Sequence, residues 1–133
     1  MQQAELIRRL DMPVIIDHFG QVDSRKGLDQ PGLKVVLDLM GEKHVWMKIS
    51  GADRSLVAGE PYDGIVALAR IMIARAPDRI IWGTDWPHAY VYEAGRMIND
   101  GDLLGFVADY APDEAQRRKI LVDNPARLFG YWS

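Results

Sequence analysis

The sequence contains no cysteine, so disulfide bonds, thiolate metal ligands and cysteine nucleophiles are all excluded. It also has no excess of positive charge, because 16 lysines and arginines against 19 aspartates and glutamates leave a formal net charge of −3. Such a chain has no general cationic field to hold a phosphate backbone. Nucleic acid is therefore not expected as a partner.

Long apolar runs and several common functional motifs are missing too. The longest apolar stretch, residues 65–76, is interrupted by Arg70 and Arg75, and the first residues carry no signal-peptide core. We therefore expect a cytoplasmic protein without a membrane partner. There is no glycine-rich phosphate loop, dinucleotide fingerprint, zinc-protease helix motif or serine-hydrolase elbow, so the chemistries that depend on them have no support.

The hydrophobic sequence that is present suffices for one domain. The 133 residues are 48% hydrophobic and 26% charged, which is typical of a single globular unit. Three short runs rich in β-branched and aromatic residues, at 14–16, 45–49 and 80–82, predict strands. Apolar residues at helical spacing, at 33–40 and 65–73, predict crossover helices between them, so the expected unit is βαβαβ with parallel strands.

The part after the third strand is predicted to be helical. Asp102 is expected to cap a helix that extends to residue 110, a second helix spans 112–121, and Asn124 caps a last one that stops at Gly130. Strand 14–16 is apolar on both sides of its pleat and should be covered on both faces, which indicates the α/β class. Three strands make a small sheet, so part of the fold is expected to be missing.

Polar side chains cluster after the strands. His18 follows the first strand, Arg54 lies a few residues after the second, and Asp85 follows the third. Parallel α/β folds place their chemistry at the carboxyl ends of strands, so these three side chains should converge. A carboxylate can take a proton from water, an imidazole can polarise or relay, and a guanidinium can bind an anion. The pattern therefore favours hydrolysis of an acidic substrate.

Structural roles for these residues stay open beside the functional ones. Asp17 and Asp85 could cap the loops that follow them, His18 could be a hydrogen-bonded core residue, and Arg54 could pair with Asp53 at the surface. We expect Asp17 to orient its loop, because neighbours along a strand point to opposite faces.

The other two histidines divide by position. His44 precedes a strand, at the opposite end of the sheet, so it is not expected in the site. His88 lies just past Asp85 and is a candidate for substrate binding or for support of the site. With so few histidines, the firm donors for a catalytic zinc are too few in this chain.

Four motifs together give the sequence a family resemblance. They are PVIIDHFG at 13–20, WMKISG at 46–51, RIIWGTDWPH at 79–88 and NPARLFG at 124–130. On these residues the chain resembles the C-terminal half of the amidohydrolase-2 family, and within it the 2-pyrone-4,6-dicarboxylate hydrolases, which are lactonases of aromatic-acid breakdown. The resemblance implies strands six to eight of a TIM-type (β/α)8 barrel, with residues 1–133 as one partial domain that lacks the N-terminal half.

The resemblance also implies roles for the three strand-end residues. Asp85 would activate water for attack on a lactone carbonyl, His18 would help to polarise that carbonyl, and Arg54 would bind a substrate carboxylate. It implies no cofactor for the pyrone lactonases, whereas relatives that hold a divalent metal (Zn or Mn) use the same positions, so a metal stays open. The family's His-x-His pair on its first strand has no counterpart here.

Several hypotheses follow for the chain as a polypeptide. The first is a hydrolase of a carboxylated lactone that is nearly inactive until a missing N-terminal half-barrel joins it. The second is a metal-dependent non-oxidative decarboxylase of the same family. The third is a non-catalytic remnant that pairs its open sheet edges with a second copy of itself.

Overall fold

The sheet contains three parallel strands. The computed structural model describes residues 2–89, 91–92 and 94–130. Its strands are β1 (Val14–Ile16), β2 (Val45–Ile49) and β3 (Ile80–Trp82), in the order β1-β2-β3. Val14 is opposite Val45, and Met47 is opposite Ile80. All three predicted strands and their parallel pairing are confirmed.

Seven α-helices are described around this sheet. They are α1 (Gln2–Arg9), α2 (Pro31–Leu39), α3 (Ala52–Val57), α4 (Tyr62–Arg75), α5 (Asp100–Tyr110), α6 (Glu114–Arg118) and α7 (Asn124–Phe129). Short 3₁₀ turns lie at His18–Gln21, Ser24–Lys26 and Ala94–Arg96, and a π-helical turn at Lys119–Asp123. The crossover helices α2 and α4 are confirmed, whereas α1 and α3 were not predicted.

The two predicted helix caps after β3 are wrong. The cap of α5 is Asn99, whose side chain accepts a hydrogen bond from the Gly101 amide at 2.7 Å, and Asp102 lies within the first turn. Asn124 caps nothing, because helical backbone continues from α6 through the π turn into α7. Its side chain instead donates to the Ile80 carbonyl at 2.8 Å. A C-terminal helical segment is thereby fastened to β3.

The main core packs against β2. Met47 and Ile49 have no exposed surface, and they pack in one cluster with Leu33 of α2 and Met72 of α4. Full burial of one such side chain contributes about 1.5–3 kcal/mol. Strand β1 differs from its prediction: Ile15 is 37% exposed, because β1 is an outer strand of the described sheet and one of its faces has no cover.

Among the helices of the described residues, none combines the length and the apolar character required to cross a membrane.

Because all three strands are parallel, their carboxyl ends meet at one edge of the sheet. The turn His18–Gln21, helix α3 and the loop after β3 all start there. This edge brings the charged residues of three distant sequence segments together.

Candidate functional site

His18 sits at the end of β1 in a left-handed turn. Its φ is 54°, and its ring nitrogen Nδ1 lies 2.9 Å from the Ser50 hydroxyl, just after β2. Gly51, with φ 80°, lies against the ring, and a Cβ at that position would be 3.3 Å from Nδ1. Strand β2 thus holds the imidazole by a hydrogen bond and by a close backbone approach.

Arg54 is carried by the first turn of α3. Its Nε donates to Oδ2 of Asp85 at 2.6 Å, and its Nη2 binds the same oxygen. Nη2 also lies 3.4 Å from Nε2 of His18. A guanidinium hydrogen-bonded to a carboxylate in this way has a fixed orientation.

Asp85 completes the cluster from the loop after β3. Its backbone is left-handed, with φ 69°, and its Oδ1 lies 3.7 Å from Nδ1 of His18. The side chains of His18, Arg54 and Asp85 are 20%, 26% and 12% exposed, so all three are partly buried but remain accessible. The structure brings the three sequence-predicted residues into mutual contact, and we call them the rim cluster.

A cavity of about 520 Å³ opens beside the rim cluster. His18 and Arg54 line it together with the apolar side chains of Phe19, Ile65 and Leu68. Asp85 is not among its lining residues but binds Arg54, which is. The wall also carries further charged side chains, those of Asp23, Arg25 and Glu60. Small-molecule sites commonly have this size.

His88 lies deeper than the rim cluster. It is 3% exposed, its Nδ1 is 3.0 Å from Oδ2 of Asp53, and its Nε2 is 3.1 Å from Oδ1 of Asp100. It does not line the cavity described above. The structure therefore places both ring nitrogens against carboxylates, at a distance from any ligand in that cavity.

The remaining candidates lie outside the rim cluster. Asp17 is half-exposed and pairs with the Lys48 ammonium at 2.9 Å, and its carbonyl accepts the Gly20 amide. The second of these contacts is the one expected of a residue that orients its loop. His44 bonds the Ile7 carbonyl at 2.9 Å, beside the amino end of β2.

Sequence reasoning missed two contributors to this region. Ser50 holds His18, and Asp53 is buried against His88 rather than paired with Arg54 at the surface. Both follow β2, so strand-end position was the available signal. Their partners lie more than 30 residues away and depend on loop geometry that no local pattern encodes.

The described residues do not by themselves fit a metal ion. They contain no group of three or more histidine, aspartate or glutamate side chains arranged to hold one. Within the rim cluster the only such donors are His18 and Asp85, and Arg54 binds Oδ2 of Asp85. Three protein ligands are usual for a catalytic zinc.

A parallel α/β sheet with a charged, partly buried cluster at its strand ends defines an α/β protein of the barrel or open-sheet enzyme type. The family model described as amidohydrolase matches residues 1–131. The chain belongs to the amidohydrolase family.

The similar curated proteins are named as lactone enzymes. The chain is 53% identical to the 4-sulfomuconolactone hydrolase of Hydrogenophaga intermedia, over 96% of this chain and 42% of that protein. It is 38% identical to the 2-pyrone-4,6-dicarboxylate hydrolase of Comamonas testosteroni, over 92% and 42%. The D-galactarolactone isomerase of Agrobacterium fabrum is 36% identical, over 86% and 39%. The chain thus spans about four-tenths of the length of these relatives.

A solved structure from Agrobacterium tumefaciens has the same arrangement. It superposes with a TM-score of 0.82 at 33% identity, covering 97% of this chain and 45% of that one. The three-stranded α/β unit therefore corresponds to somewhat less than half of a larger related protein.

Proposed function

We propose that the chain supplies part of the active site of a lactone hydrolase, with the rim cluster as its reacting and binding groups. The observation that carries the proposal is the contact of Asp85 with both Arg54 and His18 at the carboxyl edge of the sheet. The names of the related proteins support a lactone as the substrate class.

In the proposed reaction Asp85 acts as general base. It takes a proton from a water molecule, whose oxygen attacks the lactone carbonyl carbon; the ring C–O bond breaks, and the ring oxygen receives a proton. The product is the ring-opened hydroxy acid. Oδ2 of Asp85 is held by Arg54, so Oδ1, on the His18 side, is the oxygen assigned to this transfer.

His18 and Arg54 take the complementary roles. The bond to Ser50 fixes the imidazole of His18, which we propose polarises the lactone carbonyl. The guanidinium of Arg54 lines the cavity, where it would bind an acidic group of the substrate. His88 is proposed to support this pair rather than to contact the substrate through its ring nitrogens, which both face carboxylates.

The substrate class is an anionic lactone. Two relatives carry names of such substrates, one with a sulfo group and one with two carboxylates. A cavity whose wall contains two arginines, Arg25 and Arg54, beside apolar side chains suits a small ring that bears such a group.

The rest of the site would come from further polypeptide. We propose that the three strands are strands six to eight of a (β/α)8 barrel, which needs about 250 residues. In the described part of the chain, β1 and β3 each pair on one side only. Leu6 of α1 and Val35 of α2 are exposed and line one cavity. These edges suit the remaining barrel strands.

A complementation assay tests the proposal. The chain is co-expressed with the part of the Hydrogenophaga protein that the match leaves out, and ring opening of 4-sulfomuconolactone and 2-pyrone-4,6-dicarboxylate is followed by absorbance and mass spectrometry. We expect ring opening only when both parts are present, and for 2-pyrone-4,6-dicarboxylate we expect a product heavier by the mass of one water.

Two outcomes contradict the proposal. Release of carbon dioxide would identify the decarboxylase alternative instead. A co-purifying pair that opens neither lactone would exclude hydrolysis of both. The remaining alternative is a non-catalytic remnant that pairs with a second copy of itself. Sedimentation of the chain alone would show a tight dimer in that case, and this dimer would not bind the complementing part.

A further inference from the structure

The buried histidine beyond the rim cluster has two acidic partners. We infer that His88 is a positioning residue that acts through Asp53 to fix the orientation of Arg54. The inference rests on the proposed function only in that Arg54 is taken to bind the substrate. Its geometry and its test need no substrate.

The contacts of His88 join three separate segments. Nδ1 bonds Asp53 in the first turn of α3, Nε2 bonds Asp100 at the start of α5, and the backbone amide donates to the Asp85 carbonyl at 2.9 Å. One imidazole therefore connects the loop after β3 with the starts of two helices.

The contact between Asp53 and His88 is buried. Asp53 is 1% exposed. Within the described residues its Oδ1 has no hydrogen-bond partner, whereas its Oδ2 is hydrogen-bonded to His88. A buried carboxylate is costly unless a charged donor compensates it. Both ring nitrogens of His88 lie within hydrogen-bond distance of a carboxylate oxygen, and an ionised carboxylate only accepts hydrogen bonds.

Because Asp53 and Arg54 are neighbours in the chain, the Asp53–His88 bond also affects the position of Arg54. Asp53 and Arg54 are consecutive in α3, and consecutive side chains of a helix point in different directions. Asp53 is held by His88 and Arg54 by Asp85, while His88 and Asp85 lie three residues apart in one loop. The loop after β3 thus contacts α3 at two neighbouring residues, Asp53 and Arg54. Without the Asp53 contact, the backbone at Arg54 would be held less firmly.

Two substitutions separate the two bonds of His88. Asparagine places an amide nitrogen near the position of Nδ1 and keeps the donor to Asp53, whereas glutamine places one near Nε2 and keeps the donor to Asp100. The readout is solvent exchange of the Arg54 Nε–H in the ¹⁵N-labelled chain, with the resonance identified by Arg54→Lys. We expect exchange about tenfold faster in His88→Gln and within about twofold of wild type in His88→Asn.

The same spectra contain an internal control. Nε of Arg79 donates to the Val45 carbonyl at 3.0 Å, beside the amino end of β2, and its exchange should stay unchanged in both variants. Equal Arg54 exchange in the Asn and Gln variants, or parallel acceleration at Arg79, would overturn the inference.

Milder variants keep the test decisive if a His88 variant does not fold. Asp53→Asn retains an acceptor of the same shape but removes its charge, so Arg54 exchange should rise by about threefold. Asp100→Ala, at a half-exposed position, removes only the other bond and should leave Arg54 exchange at the wild-type rate. The reverse order of these two effects would contradict the role assigned to Asp53.

Discussion

At the scale of single residues, three residues of this region have an unusual, left-handed backbone conformation. The φ values of His18, Asp85 and His88 are 54°, 69° and 58°. They lie in the left-handed region, which residues other than glycine rarely adopt. Each such residue costs about 1–2 kcal/mol. Strain of this kind clusters at functional sites, which agrees with the role proposed for this edge of the sheet.

Sequence position identified these residues but not their partners. His18, Arg54 and Asp85 could be predicted to converge because each follows a strand of one parallel sheet. The Asp53–His88 pair could not, since it depends on the left-handed turns of the loop after β3. Left-handed backbone is enriched at Asp and His, but no sequence pattern indicates which of these residues adopts it.

Gly51 gives a test of how His18 is held. Gly51→Ala should lower the free energy of unfolding by about 1–2 kcal/mol because φ is 80°, and it should also displace the His18 ring, which a Cβ would approach to 3.3 Å. Thermal unfolding measures the first effect, and the ring nitrogen signals of His18 measure the second.

Gly59 is the matched control. It has the same φ of 80°, but a Cβ there would meet no atom within 4 Å. Gly59→Ala should therefore cost a similar free energy while leaving the His18 signals unchanged. Unaltered His18 signals in Gly51→Ala would contradict the close packing described.

At the scale of elements, strands were predicted better than helix ends. Short apolar runs between turn residues marked all three strands. Helix α3 was missed because six residues are too few to show a periodic stripe. The merger of α6 with α7 was missed because Asn124 followed by proline is typical of a helix start, whereas its bond to Ile80 is a tertiary contact.

The corrected cap of α5 is testable. Asn99→Ala should lower the free energy of unfolding by about 1 kcal/mol, since it removes the acceptor for the Gly101 amide. Asp102→Asn, at the cap position predicted from sequence, should change it by less than about 0.5 kcal/mol. Urea unfolding measures both. A larger loss in the free energy of unfolding for Asp102→Asn than for Asn99→Ala would contradict Asn99 as the cap and favour Asp102, the residue predicted from sequence.

At the scale of the whole molecule, the chain corresponds to less than half of the related proteins. It spans 42% of two relatives, and its β1 face is open at Ile15. The sequence predicted a partial fold because three strands are few for their apolar content.

Acid should weaken a long-range ion pair that ties the C-terminal helices to the sheet. The hydrogen bond from the Lys119 ammonium, at 2.8 Å, lowers the pKa of Asp78 below its ordinary value. A lowered folded-state pKa means that the pair stabilises the fold above the unfolded-state value and that this contribution is lost as the pH falls through the folded-state value. Lys119→Gln should therefore destabilise the chain at pH 7 and become neutral in acid.

Urea unfolding across this pH range measures the effect. Lys43→Gln removes one exposed charge elsewhere and serves as the charge-matched control. A Lys119→Gln deficit that persists unchanged at the lowest pH would contradict the ion pair.

The central claim is that Asp85 activates water within the rim cluster, and the turnover of the complemented enzyme tests it most directly. Asp85→Asn should lower kcat for lactone hydrolysis by about 10²–10⁴-fold. Asp17→Asn, which changes a half-exposed carboxylate at the end of β1, should leave kcat within about twofold. An Asp85→Asn enzyme that turns over as fast as the Asp17→Asn enzyme would contradict the account.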